Sequence, residues 1–326
     1  MNSSIENATF LITGGAGFIG SNICQYLLDH NAKHVRVLDN LSNGHLKNIQ
    51  DFISLPNFEF IEGDIRDIET CNKAVQGIDY VSHQAALGSV PRSINDPVTT
   101  NEVNISGFLN MLVAVKDSDV KKMVYAASSS TYGDSQTLPK VEENIGKPLS
   151  PYAVTKYVNE LYADVFHKTY GIKTVGLRYF NIYGPKQDPN GAYAAVIPLF
   201  MKAINDGAAP TMNGDGEQTR DFTFVGNAVQ ANIKALFSSD DVQNEVINIA
   251  CNERISLNIL WEAIQDAANK KLAPIYGPSR KGDVRDSLAN IDKAKNLIGY
   301  EPQVLVKDGI KKTYDWFIQN QDFINQ

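Results

Sequence analysis

The chain is 326 residues long, past the roughly 250–300 residues at which one hydrophobic core stops growing, so two lobes are expected. Its 43% hydrophobic content beside 21% charged residues excludes disordered and fibrous classes. Thirty Lys and Arg against 37 Asp and Glu leave a net charge of −7, which repels phosphate backbones and anionic bilayers, so neither nucleic acid nor membrane is an expected partner.

The opening MNSSIENATF has no basic n-region or apolar h-region, and no later run approaches 18 uncharged apolar residues. A cytoplasmic protein is expected. Cys24, Cys71 and Cys251 are odd in number, far apart and without a C-x-x-C pair, the pattern of reduced thiols rather than of a disulfide framework. His30 and His34 stand four apart, but Asn31-Ala32-Lys33 leads into a strand, so no metal site is expected.

In chain order, the first half alternates short apolar runs with helical stretches: ATFLIT, a helix from Phe18 to His30, HVRVLD, NFEFIEGD, IDYVSHQAA, a long amphipathic segment from Val98 to Asp117, and KKMVYAAS. Apolar runs of about 4–8 residues separated by helices predict βαβ units and a doubly wound parallel sheet, an α/β fold of the Rossmann type. A second long helix is predicted from Pro151 to Tyr170, ended by Gly171, before the strand IKTVGLRYFN. After Gly184-Pro185 come helical segments near 194–205, 227–237, 256–269 and 307–319, with short strands such as RDFTFV and EVINIA between them. This gives a first domain over 1–180 and a smaller C-terminal α/β lobe over 181–326, with part of 226–250 packing on the first domain.

Three stretches carry chemistry. LITGGAGFIG (11–20) follows a strand and opens a helix, with Gly14, Gly17 and Gly20 at G-x-x-G-x-x-G spacing; such a turn presents backbone N–H groups and a helix N-terminus to a pyrophosphate. Asp39 ends the second strand, close to the roughly 20-residue offset of the acid that bonds the adenosine ribose. Its charge would repel a 2′-phosphate, which favours NAD over NADP. Asp64 in GDIRD either faces the adenine or caps the helix that begins near Asp67.

SPYAVTKYVNE sets Tyr152 and Lys156 four residues apart on one helix face. A phenol titrates near 10 and needs a neighbouring cation to act as a base at neutral pH. Ser128, Ser129 and Ser130 end the fifth strand, where ligands of open parallel sheets bind.

GGAGFIG, Asp39, HQAA (83–86), SSSTYG (128–133), Tyr152-x-x-x-Lys156, LRYFNIYGP (177–185) and RDFTFV (220–225) together resemble the extended short-chain dehydrogenase/reductase family. The chain is most similar to its nucleotide-sugar 4-epimerases, from about Thr9 to about Ala294. The resemblance implies Tyr152 as the base for the sugar 4-hydroxyl, Lys156 as the holder of the nicotinamide ribose, and Ser128 as the hydroxyl between Tyr152 and the sugar. It implies NAD contacts from Gly14, Gly17, Phe18 and Ile19, from Asp39, Asn40, Asp64 and Ile65, and from Gln84, Ala85, Ala86 and Tyr179. It implies nucleotide-sugar contacts from Gly88, Ser89, Ser129, Ser130 and Asn181, from Ala195, Val196 and Asn213, and from Arg220, Arg280, Asp283 and Ser287.

Dehydratases and decarboxylases of similar sequence carry an acid two positions after the Ser128 equivalent; here Ser129 and Ser130 stand in that stretch. The implied reaction is 4-epimerisation with NAD retained. Ser287 is small where epimerases confined to plain hexoses carry Tyr, which points to UDP-GlcNAc and UDP-GalNAc. The competing expectations are a 4,6-dehydratase or UDP-glucuronate decarboxylase, and a non-enzymatic dinucleotide sensor. The helices 98–117 and 151–170 carry stripes of Ile105, Leu109 and Leu112, and of Val158, Leu161 and Val165, and by resemblance their outer faces join two chains in a homodimer.

Overall fold

Apolar runs too far apart for hairpins can pair only in parallel, through helical crossovers that return each strand to the same end of the sheet. The computed structural model describes residues 2–190, 194–278 and 285–321. Strands β1 (Thr9–Thr13), β2 (His34–Asp39), β3 (Phe58–Glu62), β4 (Tyr80–His83), β5 (Lys122–Ser128) and β6 (Thr174–Tyr179) lie in one sheet with a late strand, Glu245–Ile249. Every pairing is parallel, and the order is Glu245–Ile249, β6, β5, β4, β1, β2, β3. The winding reverses between β1 and β4, and the crevice at their carboxyl ends is where such sheets bind ligands.

Alternation along each strand feeds two cores. Phe10 and Ile12 of β1 pack with Val37 and with Ile23 and Leu27 of helix Phe18–Asp29, and the same core takes in Ala231 of helix Val225–Leu236. Leu11, between Phe10 and Ile12, points the other way, to Leu38, Val81, Met111, Leu112 and Phe166. A third core, with Phe200, Ile204, Trp261, Ile264 and Phe317, builds the smaller lobe.

Two predicted elements take different forms. The segment 98–117 begins at Pro97 and is divided: helix Pro97–Asn101, a π-helical turn Glu102–Gly107, then helix Phe108–Lys116. The wide turn buries Asn104, whose Oδ1 accepts from Leu87 N (2.7 Å) and whose Nδ2 donates to Thr155 Oγ1 (3.1 Å). RDFTFV is two short strands, Thr219–Arg220 antiparallel to Ile255–Ser256 and Thr223–Phe224 parallel to Ile182–Tyr183. Asp221 breaks the run because its carboxylate turns inward to accept from Cys251 N (2.9 Å) and Ala289 N (3.2 Å).

Candidate active site

At the carboxyl ends of β1 and β4 the chain leaves a cleft of about 670 Å³, within the usual range for ligand sites. Its first wall is the glycine turn. Gly14 has φ +67°, and a Cβ there would lie 2.7 Å from Ala85 N; a Cβ at Gly20 would collide with the Gly14 carbonyl oxygen. Those two glycines let the turn pack. Gly17 caps helix Phe18–Asp29 with no side-chain hydrogen bond and lines the cleft with Gly14, Phe18 and Ile19. The helix therefore presents its first N–H groups and their positive potential to the cleft.

Asp39 ends β2 on the adjoining wall, with Oδ2 accepting from Ala16 N (2.9 Å) and Oδ1 from Leu41 N (2.8 Å). Burial pushes its carboxyl above the ordinary range, and the two backbone bonds act against that shift. Asn40 and Ile65 line the cleft beside it. Asp64 stands one layer back: it accepts from Asn40 Nδ2 (2.8 Å), and hydrogen bonds from Arg66 hold its carboxyl down at about 2. It is not the helix cap. Asp67 is, accepting from Glu69 N and Thr70 N at the start of helix Ile68–Ala74.

Gln84, Ala85 and Ala86 leave β4 along the floor. The Tyr179 hydroxyl donates to Gln84 Oε1 (3.1 Å) and accepts from Asn232 Nδ2 (2.7 Å). Asn232 Oδ1 in turn accepts from Ser82 Oγ and Gln84 Nε2 (3.1 Å each). This closed network, with Asn232 brought in by helix Val225–Leu236, fixes Gln84 and Tyr179, and sequence reasoning missed it.

The reactive wall comes from two elements. Helix Pro151–Tyr170 starts at Ser150, whose Oγ accepts from Ala153 N (3.1 Å), and ends at Gly171 in the left-handed region, φ +75°. Tyr152 and Lys156 face the cleft one turn apart, with Lys156 Nζ 6.0 Å from the centre of the Tyr152 ring. Lys156 is 3% exposed, and its ammonium donates to Ala126 O (2.8 Å). Burial brings its pKa down to about 8. Burial raises the Tyr152 phenol, and a hydrogen bond with Ser128 draws it back down. His83 lies behind, with Nδ1 2.8 Å from Thr13 Oγ1, and burial with the nearby Lys156 charge brings its pKa down to about 3, so it is neutral.

Ser128 ends β5 opposite Tyr179. Beyond it the chain turns into a single 3₁₀ turn, Ser129–Tyr132, so the three hydroxyls do not all reach the cleft. Ser128 and Ser129 line it, whereas Ser130 folds back and donates from Oγ to Ser128 Oγ (2.9 Å).

The far end of the cleft is lined by Gly88, Ser89, Asn181 and Ala195. Asn181 donates from Nδ2 to Asp221 O (2.9 Å). Val196 begins helix Val196–Asp206 just behind Ala195. Asn213, Arg220 and Ser287 lie outside the lining: Asn213 ends strand Thr211–Asn213, Arg220 Nη1 donates to Thr219 O (2.9 Å), and Ser287 N donates to the same carbonyl (3.2 Å). Arg280 and Asp283 fall outside the described residues. Arg92, Gln187 and Asp188 line the cleft without having been singled out from the sequence; a cation in LGSVPRS was the one available signal.

A glycine cradle on an open helix terminus, an acid ending β2 and a Ser–Tyr–Lys set with its lysine buried fit a dinucleotide and define a protein of the short-chain dehydrogenase class. The sequence profile described as the NAD dependent epimerase/dehydratase family matches residues 10–250. The chain belongs to this family, and its cofactor is NAD. A putative UDP-glucose 4-epimerase of Methanocaldococcus jannaschii is 38% identical over 312 residues, 95% of this chain and 98% of that protein. The solved UDP-N-acetylglucosamine 4-epimerase from Methanobrevibacter ruminantium M1, in complex with UDP-N-acetylmuramic acid, superposes with a TM-score of 0.91 at 38% identity, covering 96% of this chain and 99% of that one. The UDP-glucuronic acid 4-epimerase from Bacillus cereus, in complex with UDP-glucuronic acid and NAD, superposes at 0.88 with 34% identity, covering 95% and 99%.

Proposed function

We propose that the protein is a UDP-N-acetylglucosamine 4-epimerase, an NAD-dependent isomerase that interconverts UDP-GlcNAc and UDP-GalNAc through a transient 4-keto sugar, with the uronic acids or UDP-Glc/UDP-Gal as further substrates. One observation carries the choice of reaction. Among the described residues, the carboxylates lining the cleft are Asp39 and Asp188, and both lie towards the glycine-turn side: Asp39 on Ala16 N, Asp188 at 3.7 Å from His45 Nε2. Among the described residues, a ketone beside Ser128 and Tyr152 then meets no carboxyl group for proton removal at C5 or loss of the 6-hydroxyl. This supports epimerisation over 4,6-dehydration or decarboxylation. A dinucleotide sensor has no use for a buried lysine ammonium, which is costly to desolvate.

Bound NAD supplies the hydride acceptor and, on the return, the hydride donor. Tyr152 takes the proton of the sugar 4-hydroxyl and gives it back, Ser128 holds that hydroxyl by hydrogen bonding, and the Lys156 charge favours the phenolate. Phe18, Ile19, Asp39 and Gln84 would hold the dinucleotide, and Asn181 and Ala195 the nucleotide sugar, which Arg220 and Ser287 would have to reach from outside the lining. The division of labour would put the dinucleotide on 1–180 together with part of 226–250, and most of the nucleotide-sugar contacts on the lobe over 181–326. Three buried free cysteines suit the reducing cytoplasm, and among the described residues no helix is long and apolar enough to cross a membrane.

The test is to incubate the purified protein, with no NAD added, with UDP-GlcNAc, UDP-Glc and UDP-GlcNAc uronic acid in turn and to resolve the products. UDP-GlcNAc is expected to epimerise. Conversion of UDP-Glc alone would refute the acetamido reading, and release of water or CO₂ would refute epimerisation. Ser287→Tyr, which sets a bulky ring beside Thr219, is expected to slow UDP-GlcNAc more than UDP-Glc, and equal slowing of both would refute a part for position 287 in the choice of sugar.

The pH profile follows from Lys156. A lysine with its pKa down at about 8 is charged below that pH and neutral above it, so kcat/KM is expected to fall above pH 8. A profile still rising at pH 9.5 contradicts the role given to its charge.

We also propose a homodimer through the outer faces of the two long helical segments. Leu112 is buried in its own core, but Leu161 and Val165 are 48% and 52% exposed, and Val154 and Val98 are exposed too. Such a stripe suits a partner helix. Gel filtration is expected to give twice the chain mass, and Leu161→Arg to halve it.

A further inference from the structure

A dinucleotide pyrophosphate brings two negative charges, and the glycine turn meets it with backbone N–H groups alone, since Gly17 adds no side chain. Among the described residues that line the cleft, the cations are Arg92 and Lys156. Lys156 is committed to the reactive end, where it donates to Ala126 O. Arg92 stands on the other side of the mouth, on the short helix Val90–Asn95, and its backbone N–H donates to Ser89 Oγ (3.3 Å).

Its Nη1 crosses to Asn43 and donates to Oδ1 at 2.8 Å. Asn43 adjoins the segment that lies on the glycine turn. A Cβ at Gly44 would stand 2.9 Å from both the Ala16 carbonyl carbon and Asp39 Oδ2, and His45 N donates to Ala16 O (3.0 Å). The tether thus holds the guanidinium beside the loop that packs on the glycine turn, inside the same cleft.

We propose that Arg92 is a phosphate-binding residue of the cofactor site and that the Arg92–Asn43 bridge closes the cleft mouth over bound NAD. The inference rests on the reading of this cleft as the NAD site. The nucleotide sugar carries a pyrophosphate too, and the tether to the loop after Asp39 assigns Arg92 to the dinucleotide's.

Exchange of bound NAD for excess isotope-labelled NAD in the purified holoenzyme tests this. Arg92→Gln is expected to speed exchange by about 10–100-fold, the effect of one charge-assisted phosphate contact. Asn43→Ala, which loosens the tether only, is expected to speed it by about threefold. UDP affinity, measured by calorimetry with UDP alone, should stay within about twofold in both. Exchange within about twofold of wild type in Arg92→Gln overturns the proposal, and so does a loss that falls on UDP instead. If Arg92→Gln does not fold, Arg92→Lys, which keeps the charge but not the fork, decides by the same measurement, with about threefold faster exchange expected. Wild-type protein that neither retains nor binds NAD would refute the cofactor reading and the inference with it.

Discussion

Replacing Tyr152 by Phe is expected to lower turnover by about 10²–10⁴-fold, the usual share of a positioned proton-transfer group, while NAD stays bound. The change removes one oxygen from a side chain packed in the cleft wall and leaves the ring, the helix and the Lys156 bond to Ala126 in place. What is lost is the hydroxyl beside Ser128, and no other described group lining that end combines a phenol's acidity with a neighbouring ammonium. Product formation followed with the ratio of absorbance at 260 and 280 nm separates chemistry from cofactor loss. A fully active Tyr152→Phe protein would mean that the base lies elsewhere.

Glu160→Ala is expected to destabilise the fold by about 3–5 kcal/mol, because it strands a buried charge. Arg178 of β6 grips Glu160 through both carboxylate oxygens, Nε to Oε1 at 2.9 Å and Nη2 to Oε2 at 2.8 Å. Its Nη1 donates to Glu142 O (2.9 Å), and its guanidinium lies 4.9 Å from the centre of the Tyr132 ring. Both partners are buried, at 3% and 7% exposure, so water cannot replace the missing carboxylate. The pair pins helix Pro151–Tyr170 to the sheet two turns beyond Tyr152. Urea unfolding checks the figure; a change below about 1 kcal/mol would mark the pair as surface-like.

The features legible in the sequence are those set by neighbours along the chain. Ser150, Pro151 and Gly171 mark the ends of the catalytic helix because caps act within a turn of the residues that need them. The glycine turn and Asp39 are readable because strand, turn and helix occur there without interruption. Asn104, Asn232 and Arg92 were hidden because a polar residue on a helix has no meaning until its distant partner arrives: Leu87, Tyr179 and Asn43 respectively. RDFTFV alternates like a strand, and only Cys251 N and Ala289 N, far along the chain, bend it at Asp221. Asp64 and Asp67 look alike in sequence; the Arg66 side chain decides between them by engaging the first and leaving the second to cap.

The place of Glu245–Ile249 beside β6 has a consequence for biosynthesis. All six residues of β6 are buried in the finished molecule, and one of its edges is covered only by that late strand. A nascent chain therefore carries a naked, adhesive ribbon from the moment Tyr179 leaves the ribosome until Glu245 follows. The sheet is complete only when that last strand has been made, so its two halves are finished together.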